Sequence, residues 1–200
     1  EGYVYAAGPL PFCPYTYIVK LDQGGNVKWQ KRLSGCYVGD RINSITVTAD
    51  AVYVTGTMNG TFGFLKKLGK GGEGPHWSID LNYDLAYLEP TAFYKPAIDP
   101  IDGTLWAVAS YRNGVDTKTH LYRIKDLGTS YEIQGNVQLK YGSLETRGCA
   151  VAVDADTVYV AGSTWDGGGT LVPWIYGQDR KGNSSFTNRY SSFGGWRSFF

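Results

Sequence analysis

The sequence predicts an all-β chain folded as a β-propeller of about four blades, each of four antiparallel strands, and three observations carry that prediction. A short alternating string returns four times, as Val4-Tyr-Ala-Ala-Gly8, Val52-Tyr-Val-Thr-Gly56, Leu105-Trp-Ala-Val-Ala109 and Val158-Tyr-Val-Ala-Gly162. The copies lie roughly 50 residues apart, the period of a propeller blade. Each is rich in β-branched and aromatic residues, which fit a pleated surface. Helical periodicity of useful length is absent.

Each element follows from this frame. The recurring string is strand two of its blade. Strand three follows as Tyr17-Ile-Val-Lys-Leu-Asp22, Phe62-Gly-Phe-Leu-Lys-Lys67, His120-Leu-Tyr-Arg-Ile-Lys125 and Pro173-Trp-Ile-Tyr-Gly-Gln178. A Gly-rich turn then leads to strand four, seen in Gly24-Gly-Asn-Val-Lys-Trp29 and Gly74-Pro-His-Trp77. Strand one precedes the recurring string in three copies, at Ile42 to Thr48, Pro96 to Ile98 and Cys149 to Asp154. The blades are thus expected at about residues 1–33, 41–81, 95–139 and 147–193, within one domain. Trp196-Arg-Ser-Phe-Phe200 resembles the start of a further strand one. It would supply the inner strand that blade one lacks and close a four-bladed ring. Alternatively the four blades belong to a larger propeller, or another molecule completes the open edge by strand addition.

Family-type motifs run through these copies. Val19-Lys-Leu-Asp-Gln-Gly-Gly-Asn-Val-Lys-Trp29, then Asp40-Arg41, then Val47-Thr-Ala-Asp-Ala-Val-Tyr-Val-Thr-Gly-Thr57 resemble the SBBP-type β-propeller repeat family. Ala150-Val-Ala-Val-Asp-Ala-Asp-Thr-Val-Tyr-Val-Ala-Gly-Ser-Thr164 fits the same pattern, whereas the copy from Ile98 to Ser110 is degenerate. The resemblance implies a domain of secreted or cell-surface bacterial and archaeal proteins, hence an extracellular location. It implies a fold and no reaction, because propellers host many unrelated functions.

Composition narrows the function classes. The chain has 200 residues, 27 Gly, 15% aromatic and 18% charged residues, and a net charge of +1. A length of this order buries a core without staples. Near-neutral charge gives no electrostatic case for nucleic acid. No apolar run approaches the roughly 20 residues of a bilayer span, so no membrane insertion is expected. The first residue is Glu1, which reads as a processed mature protein or a piece of a longer one.

The propeller frame also sorts the loops. Connections from strand two to three and from blade to blade emerge at one end, and they carry Tyr15, Tyr37, Tyr83, Tyr87, Tyr94, Tyr111, Tyr141 and Trp165. The loops at the other end carry no aromatic residue. Exposed Tyr and Trp offer flat apolar area with a polar handle, as at sugar sites and protein interfaces. The alternative is that the longer loops pack their own aromatics beneath themselves. Arg41 and Arg147 start equivalent inner strands, with Arg197 in the same place in its segment and Lys95 nearby. These cations ring the expected channel mouth on the aromatic side and suit an anionic partner, or they pair with neighbours such as Asp40 and Glu145.

Cys13 and Cys36 fall at the same end of blade one and are candidates for a disulfide, while Cys149 starts an inner strand as a buried thiol. Asn59 and Asn183 head glycosylation sequons in loops. No metal-ligand spacing, cofactor motif or nucleophile motif is found. His76 and His120 sit on separate blades and read as structural, and Asp99-Pro-Ile-Asp102-Gly103 reads as a turn. The expected function is a non-enzymatic binding or structural module docking a glycan or protein partner. A subunit of a head-to-tail assembly with other copies of itself is the second reading. A hydrolase or lyase using Asp40, Asp84, Glu89 or Glu145 at the channel mouth is the third.

Overall fold

The computed structural model describes residues 2–10, 13–33, 40–58, 62–80, 92–113, 116–140, 146–165 and 170–189. Among them every regular element is a strand, and the strands form four antiparallel sheets. The first holds β1 (Val4–Leu10), β2 (Cys13–Leu21) and β3 (Val27–Arg32). The second holds β4 (Arg41–Val47), β5 (Ala51–Met58), β6 (Phe62–Gly69) and β7 (Trp77–Asp80). In the third, an inner strand in two pieces, β8 (Ala92–Phe93) and β9 (Ala97–Ile98), pairs with β10 (Leu105–Asn113). β11 (Asp116–Asp126) and β12 (Tyr131–Leu139) complete it. The fourth holds β13 (Thr146–Val153), β14 (Thr157–Trp165), β15 (Leu171–Asp179) and β16 (Ser184–Arg189). The chain is therefore all-β and propeller-like, with four meandering sheets. The first sheet lacks an inner strand among the described residues.

The repeat is visible in the hydrogen-bond register. Val4 faces Leu21, Val52 faces Leu68, Leu105 faces Ile124 and Val158 faces Gln178. Irregularities recur too. In the inner strands the register slips between Ile42 and Ser44 and again between Gly148 and Ala150, leaving Asn43 and Cys149 as equivalent bulge residues. The outer strands slip opposite Lys20/Leu21, Arg123/Ile124 and Gly177/Gln178.

Successive strand residues point to opposite faces, and both faces of an inner blade must be covered, so its strands carry apolar residues at consecutive positions. Val52, Val54, Phe64 and Leu68 turn toward sheet one and pack on Ile18 and Leu33. Tyr53, Leu65, Trp77 and Ile79 turn the other way and meet Leu105, Ala107, Tyr122 and Ile124 of sheet three. The reverse face of sheet three, with Trp106, Val108 and Leu121, meets Val158, Val160, Trp174 and Tyr176 of sheet four. The core is thus three parallel seams. Among the described strands, none of sheet four packs extensively on sheet one. Val4 is accordingly 56% exposed, where its equivalents Val52 and Val158 are fully buried.

One residue type reports the inner strand directly. A Cβ on Gly56 would lie 2.1 Å from the Arg41 carbonyl oxygen, and one on Gly162 would lie 2.0 Å from that of Arg147. The equivalent Gly8 meets nothing within 4 Å among the described residues, none of whose strands passes it on that side.

Candidate binding surfaces

The meander sends connections from strand one to two and from three to four to one end of the blades. All seven of these turns are described, and each is closed by backbone hydrogen bonds: 22–26, 48–51, 69–73, 99–104, 127–130, 154–157 and 179–183. Buried or turn-locked aspartates help. Asp22, Asp154 and Asp179 accept backbone N–H groups two to four residues on, as Asx-turns do. Hydrogen bonds to the carboxylate, from Lys28 first for Asp22 and from backbone Asp156 first for Asp154, hold these acids below the usual range. The turn at Asp99 obeys the same logic, since its Oδ1 accepts from Ile101 N at 2.9 Å and Gly103 takes φ 72°. Asn183 is exposed and donates from Nδ2 to Asp179 at 2.7 Å, so its amide closes a turn.

Every connection at the opposite, aromatic-bearing end lies outside the described residues. So do Tyr37, Tyr83, Tyr87, Tyr141, Arg197, Cys36, Asn59, Asp84, Glu89 and Glu145, while Tyr111 and Cys13 are described in backbone only. The rim residues that are described can be placed. Tyr15 is half-buried, edge-on to Tyr17 with centroids 6.3 Å apart, and Arg32 lies 4.7 Å from its ring. Trp165 is half-buried at the end of β14, paired with Leu171, which is 40% exposed. Tyr94 is half-buried against the seam between sheets three and four, and burial pushes its hydroxyl up, with the Arg147 charge acting in the opposite sense.

Arg41 and Arg147 are exposed at equivalent starts of β4 and β13, opposite Thr57 and Ser163. In sheet three Ala92 holds that place, opposite Ser110, so the exposed Lys95 is not part of the same ring position. Asp40 is buried and shares its surroundings with Asp80 and Lys66. Burial draws the Lys66 amine down, while the two carboxylates act in the opposite sense. Its Nζ donates to Leu33 O at 3.2 Å, which ties β6 to the end of sheet one.

Cys149 departs from expectation. It is exposed rather than buried, because as the bulge residue of β13 it has no cross-strand partner and leaves the alternation that buries its neighbours. Desolvation of the thiol outweighs the Arg147 charge and raises it, which makes it a poor nucleophile. His120 is held neutral in the same way: burial lowers it, against a 2.6 Å hydrogen bond with Asn136. Among the described residues no group of three or more His, Cys, Asp or Glu is placed to hold a metal ion.

The sequence reading missed the polar bridges across the seams. Lys20, Lys67 and Arg123 are equivalent, each facing the strand-two aromatic of its own blade: Tyr5, Tyr53 and Trp106. Each donates into the strand three-to-four turn of the next blade, Lys20 to Lys70 O at 3.1 Å, Lys67 to Gly128 O at 2.9 Å and Arg123 to Arg180 O at 3.4 Å. Aromatics of strand four join in, with Trp29 Nε1 donating to Lys70 O at 2.9 Å and Trp77 Nε1 to Asp126 at 3.1 Å. Asp126 is the centre of the second seam, accepting also from Tyr53 Oη and pairing with Lys67, both at 2.6 Å. Burial pushes its carboxyl up, but Lys67, Tyr53 and Trp77 together hold it below the ordinary value. The signal was present in the sequence as a cation within three of the strand-three strings, at Lys20, Lys67 and Arg123, with Gly177 at the equivalent place in blade four.

No family model matches the chain, and no curated protein matches it. Among solved structures it is similar to the crystal structure of the WD40 domain of SCAP from fission yeast, at 9% identity and a TM-score of 0.30. The match covers 97% of this chain, which spans 66% of that one. The propeller-like architecture itself stands on the four sheets and their seams.

Proposed function

We propose that the chain is a non-enzymatic, SBBP-type propeller acting at the cell surface, and that it docks a glycan or protein partner through its aromatic-bearing end. The observation that carries this reading is the contrast between the two ends. One is finished by seven short turns, each closed on its own backbone. The connections that carry Tyr37, Tyr83, Tyr87 and Tyr141 lie outside the described residues, and we assign them to the other end. Binding residues concentrate on such loops when a rigid scaffold presents them. Charged groups inside the seams, by contrast, are engaged in holding blades together, as Lys67 and Asp126 show. The test is a glycan array and a pull-down from the cell envelope with the wild-type chain, repeated with Tyr87→Ala and Trp165→Ala together. Capture should fall at least about tenfold if these aromatics are anchors. Undiminished capture by the double variant overturns this face as the site.

A second reading has a specific observation behind it. Sheet one turns Val4, Ala6 and Val27 outward to solvent, and sheet four turns Ala150, Ala152 and Ala161 outward. By register, the first set matches residues that meet a preceding blade, and the second matches residues that meet a following one. A second copy of the chain, stacked head to tail, would cover both.

A further inference from the structure

The third blade breaks its own repeat, and the break leaves a crevice. Trp29, Trp77 and Phe186 occupy one position of strand four, opposite Lys20, Lys67 and Gly177. In blade three that position is Gly135, opposite Arg123. No steric demand keeps it a glycine: a Cβ there would meet only Arg123 Cβ, at 3.8 Å, in ordinary contact. No positive φ requires it either, since Gly135 is absent from the left-handed glycines among the described residues. Where the other seams are filled by an aromatic ring, this one holds a crevice of about 110 Å³ between sheets three and four.

The walls give the crevice its chemistry. Trp106, Arg123, Gln134, Gln178, Arg180 and Lys181 line it. Asp99, which is 2% exposed, pairs with Arg180, and the Arg180 Nε donates to it at 2.8 Å, so one cation is matched. Arg123 is the less satisfied one. Its guanidinium carbon sits 5.6 Å from the centre of the Trp106 ring, within cation–π reach. Its Nε is buried and makes no hydrogen bond. Its Nη1 and Nη2 reach Arg180 O and Asp102 only at 3.4 Å, and the Asp102 partner is 43% exposed. A carboxylate binds an arginine through two parallel N–H groups, and with Nε buried the end-on pair, Nη1 and Nη2, is the one a ligand can reach. The guanidinium is thus held only by long contacts at its tip while the side chain stays 34% exposed, so an incoming carboxylate can take its terminal N–H groups. The side-chain amides of Gln134 and Gln178 add donors and acceptors suited to hydroxyl groups. The volume suits the end of one sugar and falls short of the roughly 300 Å³ of a drug-sized site.

We propose that this crevice between blades three and four, created by Gly135, binds the carboxylate of an acidic sugar residue, with Arg123 as its anchor. The site lies at the end of the seam beside the closed turns, remote in the fold from the aromatic loops, so its fate is independent of the reading above. The experiment is calorimetric titration of the full chain with galacturonate, with galactose, acetate and inorganic phosphate as separate arms. Saturable binding of galacturonate, at least about tenfold tighter than galactose, is expected because the carboxylate carries the charge-assisted contact. Gly135→Trp restores the residue that blades one and two carry, and it should fold normally while abolishing binding. Arg123→Gln should weaken it at least about tenfold. Circular dichroism melts of both variants check that the fold is intact. A Gly135→Trp protein that melts normally and still binds galacturonate overturns the assignment. Absent galacturonate binding overturns it outright, and phosphate binding as tight as galacturonate replaces the sugar acid by a general anion.

Discussion

At the residue scale the most consequential group is Asp126, which no functional motif marks. It gathers Tyr53, Lys67 and Trp77 of one blade and anchors them on the next, with the Lys67 and Asp126 side chains only 11% and 14% exposed. Breaking one partner of a buried pair strands the other charge, so Asp126→Asn should cost about 3 kcal/mol or more at neutral pH. The sign of the pH dependence follows from the depressed carboxyl. Its stabilisation is complete above the unfolded value near pH 4 and is lost as pH falls through the lower folded value. Urea melts of wild type and Asp126→Asn from pH 7 downward should therefore converge under acid. A gap that stays constant with pH would show that the carboxylate charge is not what holds this seam. The strand-three cation was readable in the sequence as a recurring letter, but its partner was not. Asp126 lies one residue past the end of the string in its own blade, and only register and twist bring it to Lys67 of the previous one.

At the element scale the recurring strand was legible because both of its faces are buried, which turns alternation into a run of apolar residues at a fixed period. The inner strand was harder. Its copy in blade three is split into two pairs of residues around Tyr94 to Pro96, and a Pro cannot donate to a ladder. Bulges likewise leave no mark in composition, which is why Cys149 reads as core yet is exposed. Glycine supplies the missing signal. Gly56 and Gly162 sit under a passing carbonyl, whereas the equivalent Gly8 meets nothing within 4 Å among the described residues. Gly162→Ala should then destabilise by about 1–3 kcal/mol through overpacking. Gly8→Ala should fall within about 0.5 kcal/mol of wild type, as an open strand position does. Thermal or chemical melts of the two variants decide the matter. An equal and large loss at Gly8 would mean that an inner strand does cover blade one.

At the scale of the whole molecule, the three described seams are intramolecular, and among the described strands the two outermost faces do not pack extensively on one another. Val27 on the outer side of sheet one is 58% exposed, and Leu171 on sheet four is 40% exposed. A propeller face of this kind ordinarily meets another blade, and head-to-tail contact with a second copy offers the matching one. That joint would differ from the internal seams in one respect. Blade four has Gly177 where its neighbours have Lys20, Lys67 and Arg123, and the Phe186 ring closes over it, so no cation reaches into the next turn. The contact would be apolar and weaker than an internal seam, because the charge-assisted bond worth about 1.5–3 kcal/mol is missing. Sedimentation velocity at rising concentration should then show reversible association, and high salt should leave it intact since no ion pair spans the joint. Val4→Lys with Val27→Lys should give a folded monomer, as should Ala161→Lys on the other face. Mixing those two variants restores one good joint per pair of chains and should return a dimer that neither forms alone. A wild-type chain that stays monomeric at every concentration, or a mixture that does not pair, removes the head-to-tail arrangement.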